Sequence, residues 1–145
     1  PNAPVDGSCD IFAMTGGKID YIAPQESWLD KSFSSQTGNY GTWRFVANVQ
    51  VDGIGTNASE LRITLNFLNK DVCLNINNSL GIDNPSGSPP VDENDSSGGG
   101  QFIGTFSSPV ANNVGDDAGH NLSGKSTYCR EGNSSFQFMN VLLAR

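Results

Sequence analysis

A chain of 145 residues has the length of one domain with a single hydrophobic core. Its net charge of -7 and its pI of about 4.4 give an acidic surface. Such a surface repels phosphate backbones and anionic lipid headgroups, which argues against nucleic-acid binding. No apolar run approaches the roughly 20 residues that span a bilayer. Hydrophobic residues make up only 36% of the sequence, which predicts a loop-rich fold.

The first forty residues contain short apolar stretches separated by turn residues. A Gly-Gly pair separates residues 11–14 from residues 19–22, and this arrangement predicts a β-hairpin. The segment "ESWLDKSF" that follows predicts a short helical turn. We expect this turn to bury Trp28, Leu29 and Phe33.

The next two segments alternate apolar and polar residues. Residues 43–51, "WRFVANVQV", predict a strand. Residues 59–68 are ambiguous, because every second residue from Leu61 is apolar, as in a half-buried strand, whereas Leu61, Leu65 and Leu68 also fit a helical stripe. A Ser-Glu pair at the start resembles a helix beginning, so we predict a helix over 59–68.

Residues 70–80 carry a clearer helical pattern. Val72, Ile76 and Leu80 lie four residues apart, an acidic residue stands near the start, and Gly81 is a typical residue after a helix C-terminus. The asparagines within the segment are weak helix formers. The spacing nevertheless predicts a helix over 70–80.

The second half of the chain alternates turn-rich and strand-like segments. Residues 83–100 predict a long loop without core residues, whereas residues 101–108, 125–132 and 136–145 predict strands. The fold class we expect is α+β: one loop-rich domain over residues 1–145, with one or two short helices and a small antiparallel C-terminal sheet. The predicted core consists of Val72, Ile76, Leu80, Phe102, Phe106, Phe136, Phe138, Val141 and Leu143.

The three cysteines are Cys9, Cys73 and Cys129. The last two lie in apolar segments, which favours a Cys73–Cys129 disulfide and an oxidising compartment. The alternative is a set of unpaired buried thiols. A metal or catalytic role is the weakest interpretation, because the ligand spacing is too wide and one histidine cannot complete a metal site. The state of Cys9 stays open.

One segment, "GHNLSGKS" at residues 119–126, matches the phosphate-loop pattern G-x-x-x-x-G-K-[ST]. A phosphate loop needs a buried strand before it and a helix after it. The surrounding residues predict neither, and Asp116 and Asp117 would repel phosphate. We therefore interpret the match as chance. The single histidine, His120, lies in the same segment, and no nucleophile motif accompanies it.

Four carboxylates in the 83–100 segment form a candidate calcium site, consisting of Asp83, Asp92, Glu93 and Asp95. Oxygen ligands on a loop suit a hard cation. The EF-hand spacing fails, because Ile103 stands where the bidentate glutamate should be. The alternative is a solvated acidic loop. Apart from this possible calcium ion, we expect no cofactor.

Several segments resemble the globular domain of bacterial type IV pilin-like proteins and of the pseudopilins of type II secretion, of the kind found in alphaproteobacteria. They are "DVCLNINNSLGI", "YCREG" and the terminal "FQFMNVLLAR", with "GTWRF", "DGIGT" and "CDIFAMTGGKIDY" earlier in the chain. The resemblance implies a disulfide-closed head displayed on a filament. It also implies an apolar anchor helix before residue 1, through which the head joins other pilin or pseudopilin subunits. Some pseudopilin heads hold calcium.

These observations predict a non-enzymatic structural subunit of a surface filament or secretion pseudopilus. Such a protein lies outside the cytoplasm, at the bacterial surface or in the periplasm, and contacts the membrane only through its anchor. The alternative is a secreted adhesin module that binds carbohydrate or calcium. A secreted hydrolase is a weaker alternative, because no catalytic motif is present. An apolar helix upstream in the gene would favour the pilin interpretation, and a cleaved secretory signal would favour the adhesin.

Overall fold

The computed structural model describes residues 21–92, 101–106, 113–117 and 121–145. Four antiparallel strands form one sheet in the order β1-β2-β4-β3. The strands are β1 (Arg44–Val46), β2 (Leu61–Leu68), β3 (Thr127–Gly132) and β4 (Ser135–Leu143), and one helix, α1 (Lys70–Leu80), contacts β3 and β4. Short 3-10 turns occupy Glu26–Trp28, Lys31–Phe33 and Pro85–Gly87. This architecture confirms the α+β, loop-rich fold class with a C-terminal antiparallel sheet.

Helix α1 has the bounds that the sequence predicts. Gly81 follows it in the left-handed conformation, with φ of 68°, and its N–H donates to the carbonyls of Asn77 and Asn78. Glycine adopts this conformation without the steric cost that a Cβ atom brings, so it ends the helix here.

The helix predicted over residues 59–68 is wrong, because this segment forms strand β2. The cause is a β-bulge at Phe67, which has φ of 62° and is left out of the pairing with β4. One extra residue shifts the alternation, so Leu65 and Leu68 face the same cluster although they are three apart. That spacing imitates a helical stripe. A bulky residue held in this conformation costs about 1–3 kcal/mol.

The two C-terminal strands confirm the predictions for 125–132 and 136–145. They meet in a two-residue turn, in which Asn133 and Ser134 both have positive φ, as a type I′ hairpin requires. The predicted strand over 43–51 is shorter than expected, since regular pairing ends at Val46. The strand predicted from residue 101 is wrong for residues 101–106, which are irregular and donate one backbone hydrogen bond, from Phe102 to Phe45.

Side chains alternate between two faces of the sheet, and each face has its own core. The helix face, defined by Leu65, Leu68, Cys129, Phe136 and Phe138, packs against α1 and the 3-10 turns. The loop face, defined by Arg62, Thr64, Asn66, Tyr128, Arg130, Gln137 and Met139, lies under irregular chain. The buried residues that this chain contributes are Val49, Val51, Ile82, Val114 and Leu122.

The predicted core is partly right. Val72, Ile76, Phe136, Phe138 and Val141 pack against the two clusters. Of the 3-10 turn residues expected to be buried, Leu29 is buried, and Trp28 and Phe33 are half-buried.

Two predicted core residues are wrong: Leu80 is 45% exposed and Leu143 is 49% exposed. Each is the last residue of its element, where the described residues leave about half of its side chain uncovered. Phe102 and Phe106 are half-buried and contact each other, with ring centroids 5.1 Å apart. The hairpin predicted from residues 11–14 and 19–22 falls largely outside the described residues.

Candidate functional site

The strongest link between helix and sheet joins α1 to one residue of β3. The structure brings Cys73 and Cys129 to disulfide-bonding distance, with Cα atoms 5.3 Å apart and both side chains fully buried. This is the pairing that the sequence favours. One turn later on the same helix face, the Asn77 side chain accepts a hydrogen bond from the Cys129 N–H and donates one to the Cys129 carbonyl, each 2.8 Å long.

Asn77 thereby behaves like a neighbouring strand at the edge of the sheet. Its amide satisfies both backbone groups of Cys129, which would otherwise be buried without partners. The same side chain donates to Asn84 Oδ1 at 2.9 Å, and Asn84 donates to Asn78 Oδ1 at 2.9 Å. The asparagines that weaken the helix pattern therefore fix the helix to its surroundings.

Further along β3, the backbone of the 90–92 segment covers the same edge. Glu131 N–H donates to Pro90 O, and Asp92 N–H donates to Glu131 O, each at 2.8 Å. Pro89, Pro90 and Asp92 are all buried. The prediction that residues 83–100 lack core residues is therefore wrong for this part of the segment.

A buried ion pair lies on the loop face, beside the β3 edge of the sheet. Arg130 and Asp92 are 2% and 0% exposed, and Arg130 Nη1 lies 2.9 Å from Asp92 Oδ2. The same nitrogen donates to the Asp92 carbonyl at 2.9 Å. Gly115 N–H donates to Asp92 Oδ2 at 2.9 Å. Because Gly115 has φ of 86°, a conformation that L-residues rarely adopt, glycine is suited to this position.

The ion pair continues across the sheet as a row of polar side chains. Arg130 donates from Nε and Nη2 to Gln137 Oε1, at 3.1 and 2.5 Å. Gln137 Nε2 in turn donates to Asn66 Oδ1. The row therefore runs from Asp92 through Arg130 of β3 and Gln137 of β4 to Asn66 of β2, and it orients both amides.

A second buried carboxylate lies at the other end of the loop face. Glu60 is fully buried, and its Oε2 accepts a hydrogen bond from Val51 N–H at 2.6 Å. Its other oxygen has no hydrogen-bond partner among the described residues. Burial raises the pKa of Glu60, and the hydrogen bond from Val51 N–H, followed by the charges of Arg62 and Arg145, reduces this increase.

The structure describes two of the four proposed calcium ligands. Asp83 is exposed, Asp92 is buried against Arg130, and Glu93 and Asp95 lie outside the described residues. The calcium site therefore stays a prediction.

A different set of carboxylates does lie together, since oxygen atoms of Asp92, Asp116 and Asp117 come within 4.8 Å of one another. Asp92 is already engaged with Arg130 and Gly115 in this set. A cluster of this kind does not by itself define a metal site.

The phosphate-loop pattern leads directly into strand β3, which begins at Thr127. A phosphate loop needs a helix at this point, so the local structure does not provide the N–H cradle. Lys125 is exposed. The start of the motif and His120 lie outside the described residues.

Sequence reasoning missed the roles of Asn77, Asp92, Arg130 and Gln137. The position of Asn77 does indicate a contact with the sheet, because it lies four residues after Cys73 and so shares the helix face of Cys73. The polar residues at positions 130 and 137 interrupt apolar segments, but their partners lie 38 and 71 residues away in the chain. No local pattern identifies such pairs.

No protein-family model, no curated protein and no solved structure matches this chain. Among the described residues, no helix is long and apolar enough to cross a membrane.

Proposed function

We propose that this chain is the head domain of a pilin-like filament subunit, with a structural and non-enzymatic role. The supporting observation is that the segments that resemble pilin heads meet in space. The segment "DVCLNINNSLGI" supplies Cys73 and Asn77, and the segment "YCREG" supplies Cys129. Cys73 and Asn77 both contact Cys129. The terminal "FQFMNVLLAR" is the strand that pairs with both β2 and β3.

A head domain with these links between helix and sheet suits a subunit that bears mechanical load in a filament. One covalent link and two buried hydrogen bonds hold the helix to the sheet edge. The proposal places the domain outside the cytoplasm, since disulfides persist in oxidising compartments. It also assigns a membrane anchor and filament contacts to an apolar helix before residue 1.

The test uses the complete gene in its native host. Deletion should abolish surface fibres or secretion of the exported proteins, and the full-length gene should restore them. Residues 1–145 alone should not restore them, because the helix that drives assembly is missing. A peptide tag inserted at Ser86, which is exposed in the 3-10 turn Pro85–Gly87, should label the outside of the fibres.

Three results would contradict the proposal. They are restoration by residues 1–145 alone, an unchanged phenotype after deletion, and an upstream reading frame without an apolar helix. A cleaved secretory signal in place of that helix would favour the secreted adhesin module instead.

A further inference from the structure

A pocket of about 80 Å³ opens where strand β2, the 39–40 segment and the β3–β4 turn meet. The polar row that starts at Asp92 ends in this pocket, because Gln137 and Asn66 belong to its lining. The remaining side chains of the lining are Asn39, Phe67, Asn133, Ser135 and the charged Arg130. The pocket therefore combines amide groups, one hydroxyl and one aromatic ring.

The wall of the pocket contains the bulged residue of β2. Phe67 has φ of 62°, which is uncommon for a large side chain, and its ring stacks on Phe33 with centroids 4.8 Å apart. Its carbonyl accepts a hydrogen bond from Asp30 N–H at 2.8 Å. Conformations of this kind persist where the surrounding structure imposes them, and they cluster at ligand sites.

Asn66 brings an amide group, with N–H donors and a carbonyl acceptor, to the lining of the pocket. Asn66 is only 6% exposed, and its Oδ1 accepts from Gln137. Arg130 donates to Gln137 and Gln137 donates to Asn66 Oδ1, so these hydrogen bonds orient the Asn66 amide with its Nδ2 away from Gln137.

The charge of the pocket limits the chemistry of its ligand. Arg130 belongs to the lining, but its guanidinium is balanced by the Asp92 carboxylate 2.9 Å away. The remaining side chains are uncharged. An anionic or a cationic ligand would therefore lose its hydration without gaining an opposite charge.

Amides and hydroxyls offer donors and acceptors side by side. A carboxylate only accepts and an ammonium only donates, so neither matches the whole lining. A sugar hydroxyl does both at once. A volume of about 80 Å³ admits one edge of a sugar ring, with the rest of the ring in solvent.

From these contacts we infer that the pocket binds one edge of an uncharged sugar. Asn66 Nδ2 and the Asn133 amide donate to its hydroxyls, and Phe67 forms the apolar wall. The inference concerns residues 21–145 alone and holds whether or not the subunit enters a filament.

The test is an NMR titration of the 15N-labelled protein with glucose, galactose and N-acetylglucosamine, in parallel with glucuronate and glucosamine. We expect at least one neutral sugar to shift the Asn66 side-chain and Asn133 backbone signals saturably, in the millimolar range. Each charged sugar should shift them less than its neutral counterpart. Absence of saturable shifts with all three neutral sugars, or stronger binding of a charged one, would overturn the inference.

Two glycine substitutions in the β3–β4 turn provide a matched pair. Asn133 and Ser134 both have positive φ, so glycine fits either position, but only Asn133 lines the pocket. Asn133→Gly should weaken sugar binding about five- to tenfold, as expected from loss of one hydrogen bond. Ser134→Gly should leave binding unchanged. Equal affinities of the two variants would also overturn the inference.

Discussion

The two faces of the sheet are built on different principles. The helix face is largely apolar and is fixed to α1 by the Cys73–Cys129 link and by Asn77. The loop face buries four charged residues, Glu60, Arg62, Asp92 and Arg130, at 0–2% exposure under irregular chain. Apolar contacts tolerate small displacements, whereas buried charges depend on particular partners. The two faces should therefore respond differently to substitution.

The largest effect is expected on the loop face. Arg130→Met leaves the Asp92 carboxylate buried without its ion-pair partner, so the free energy of unfolding should fall by about 3–5 kcal/mol. Urea denaturation measures this change. Lys70→Met, at an exposed position of α1, is the control and should change stability by no more than about 0.5 kcal/mol.

The double variant Arg130→Met/Asp92→Leu sharpens this test of the loop face. It removes both charges, so it should recover part of the stability that the single variant loses. A single variant as stable as the parent protein would mean that the ion pair does not hold the loop face.

The link on the helix face is expected to contribute nearly as much. Its partners are 56 positions apart, and closing such a loop stabilises a domain by about 4 kcal/mol in the chain-entropy model. Cys73→Ala/Cys129→Ala should lose this amount in urea denaturation. Peptide mapping without reductant should recover residues 73 and 129 as one linked pair. Two free thiols after expression in an oxidising compartment would refute the pairing.

Asn77 tests whether the helix face depends on more than its covalent link. Asn77→Ala leaves the N–H and carbonyl of Cys129 buried and unsatisfied, so stability should fall by about 2–3 kcal/mol. Asn75→Ala is the control two residues away on the exposed side of the helix. This control should be neutral or slightly stabilising, because alanine is the better helix former. Equal losses in the two variants would leave Asn77 no special role.

The buried Glu60 of the loop face should make the free energy of unfolding depend on pH. Burial raises the pKa of Glu60 above its ordinary value of 4.5 in the folded state. The folded protein therefore keeps the proton to a higher pH than the unfolded chain does. The stabilisation that comes from protonated Glu60 is complete below the pKa of Glu60 in the unfolded chain. It is lost as the pH rises through the higher pKa of Glu60 in the folded protein.

Glu60→Gln removes this titration, and the experiment compares unfolding free energies of the parent and the variant across pH. The advantage of the parent over the variant should decrease as pH increases from about 4 upward. A difference that stays flat or grows with pH would contradict the raised pKa.

The smallest effect is expected at the phosphate-loop pattern, which belongs to neither face. Lys125 is exposed and is followed directly by β3. Lys125→Ala should leave the melting temperature unchanged, and ATP with magnesium should not stabilise the parent protein, because a ligand raises the melting temperature only when it binds the folded state. A reproducible increase that Lys125→Ala abolishes would restore the nucleotide interpretation.

Much of the helix face could be predicted from the sequence. The bounds of α1, the two C-terminal strands and the approach of Cys73 to Cys129 follow from local periodicity and from the apolar setting of both cysteines. The helix predicted in place of strand β2 is wrong, because the bulge at Phe67 places Leu65 and Leu68 on one face of the sheet at a helical spacing. A bulge is fixed by the pairing of two strands, and one strand's sequence does not reveal it.

The loop face could not be predicted for a related reason. Asp92 looks like a solvated loop residue, since nothing near it in the chain is positively charged. Its partner Arg130 is 38 residues away, and the pairing exists only after β3 has joined the sheet. The pocket beside Asn66 and Asn133 depends on the same long-range contacts.

The link between positions 73 and 129 also determines whether the two fragments separate after a protease cuts the chain. The backbone between α1 and β3 lies wholly inside the covalent ring that this link closes. A single cut anywhere from residue 81 to residue 126 therefore leaves both fragments tied together. Such a nicked molecule would migrate as one species on a gel without reductant and as two species with it. The protein can lose the continuity of its chain there while its two halves stay in one particle.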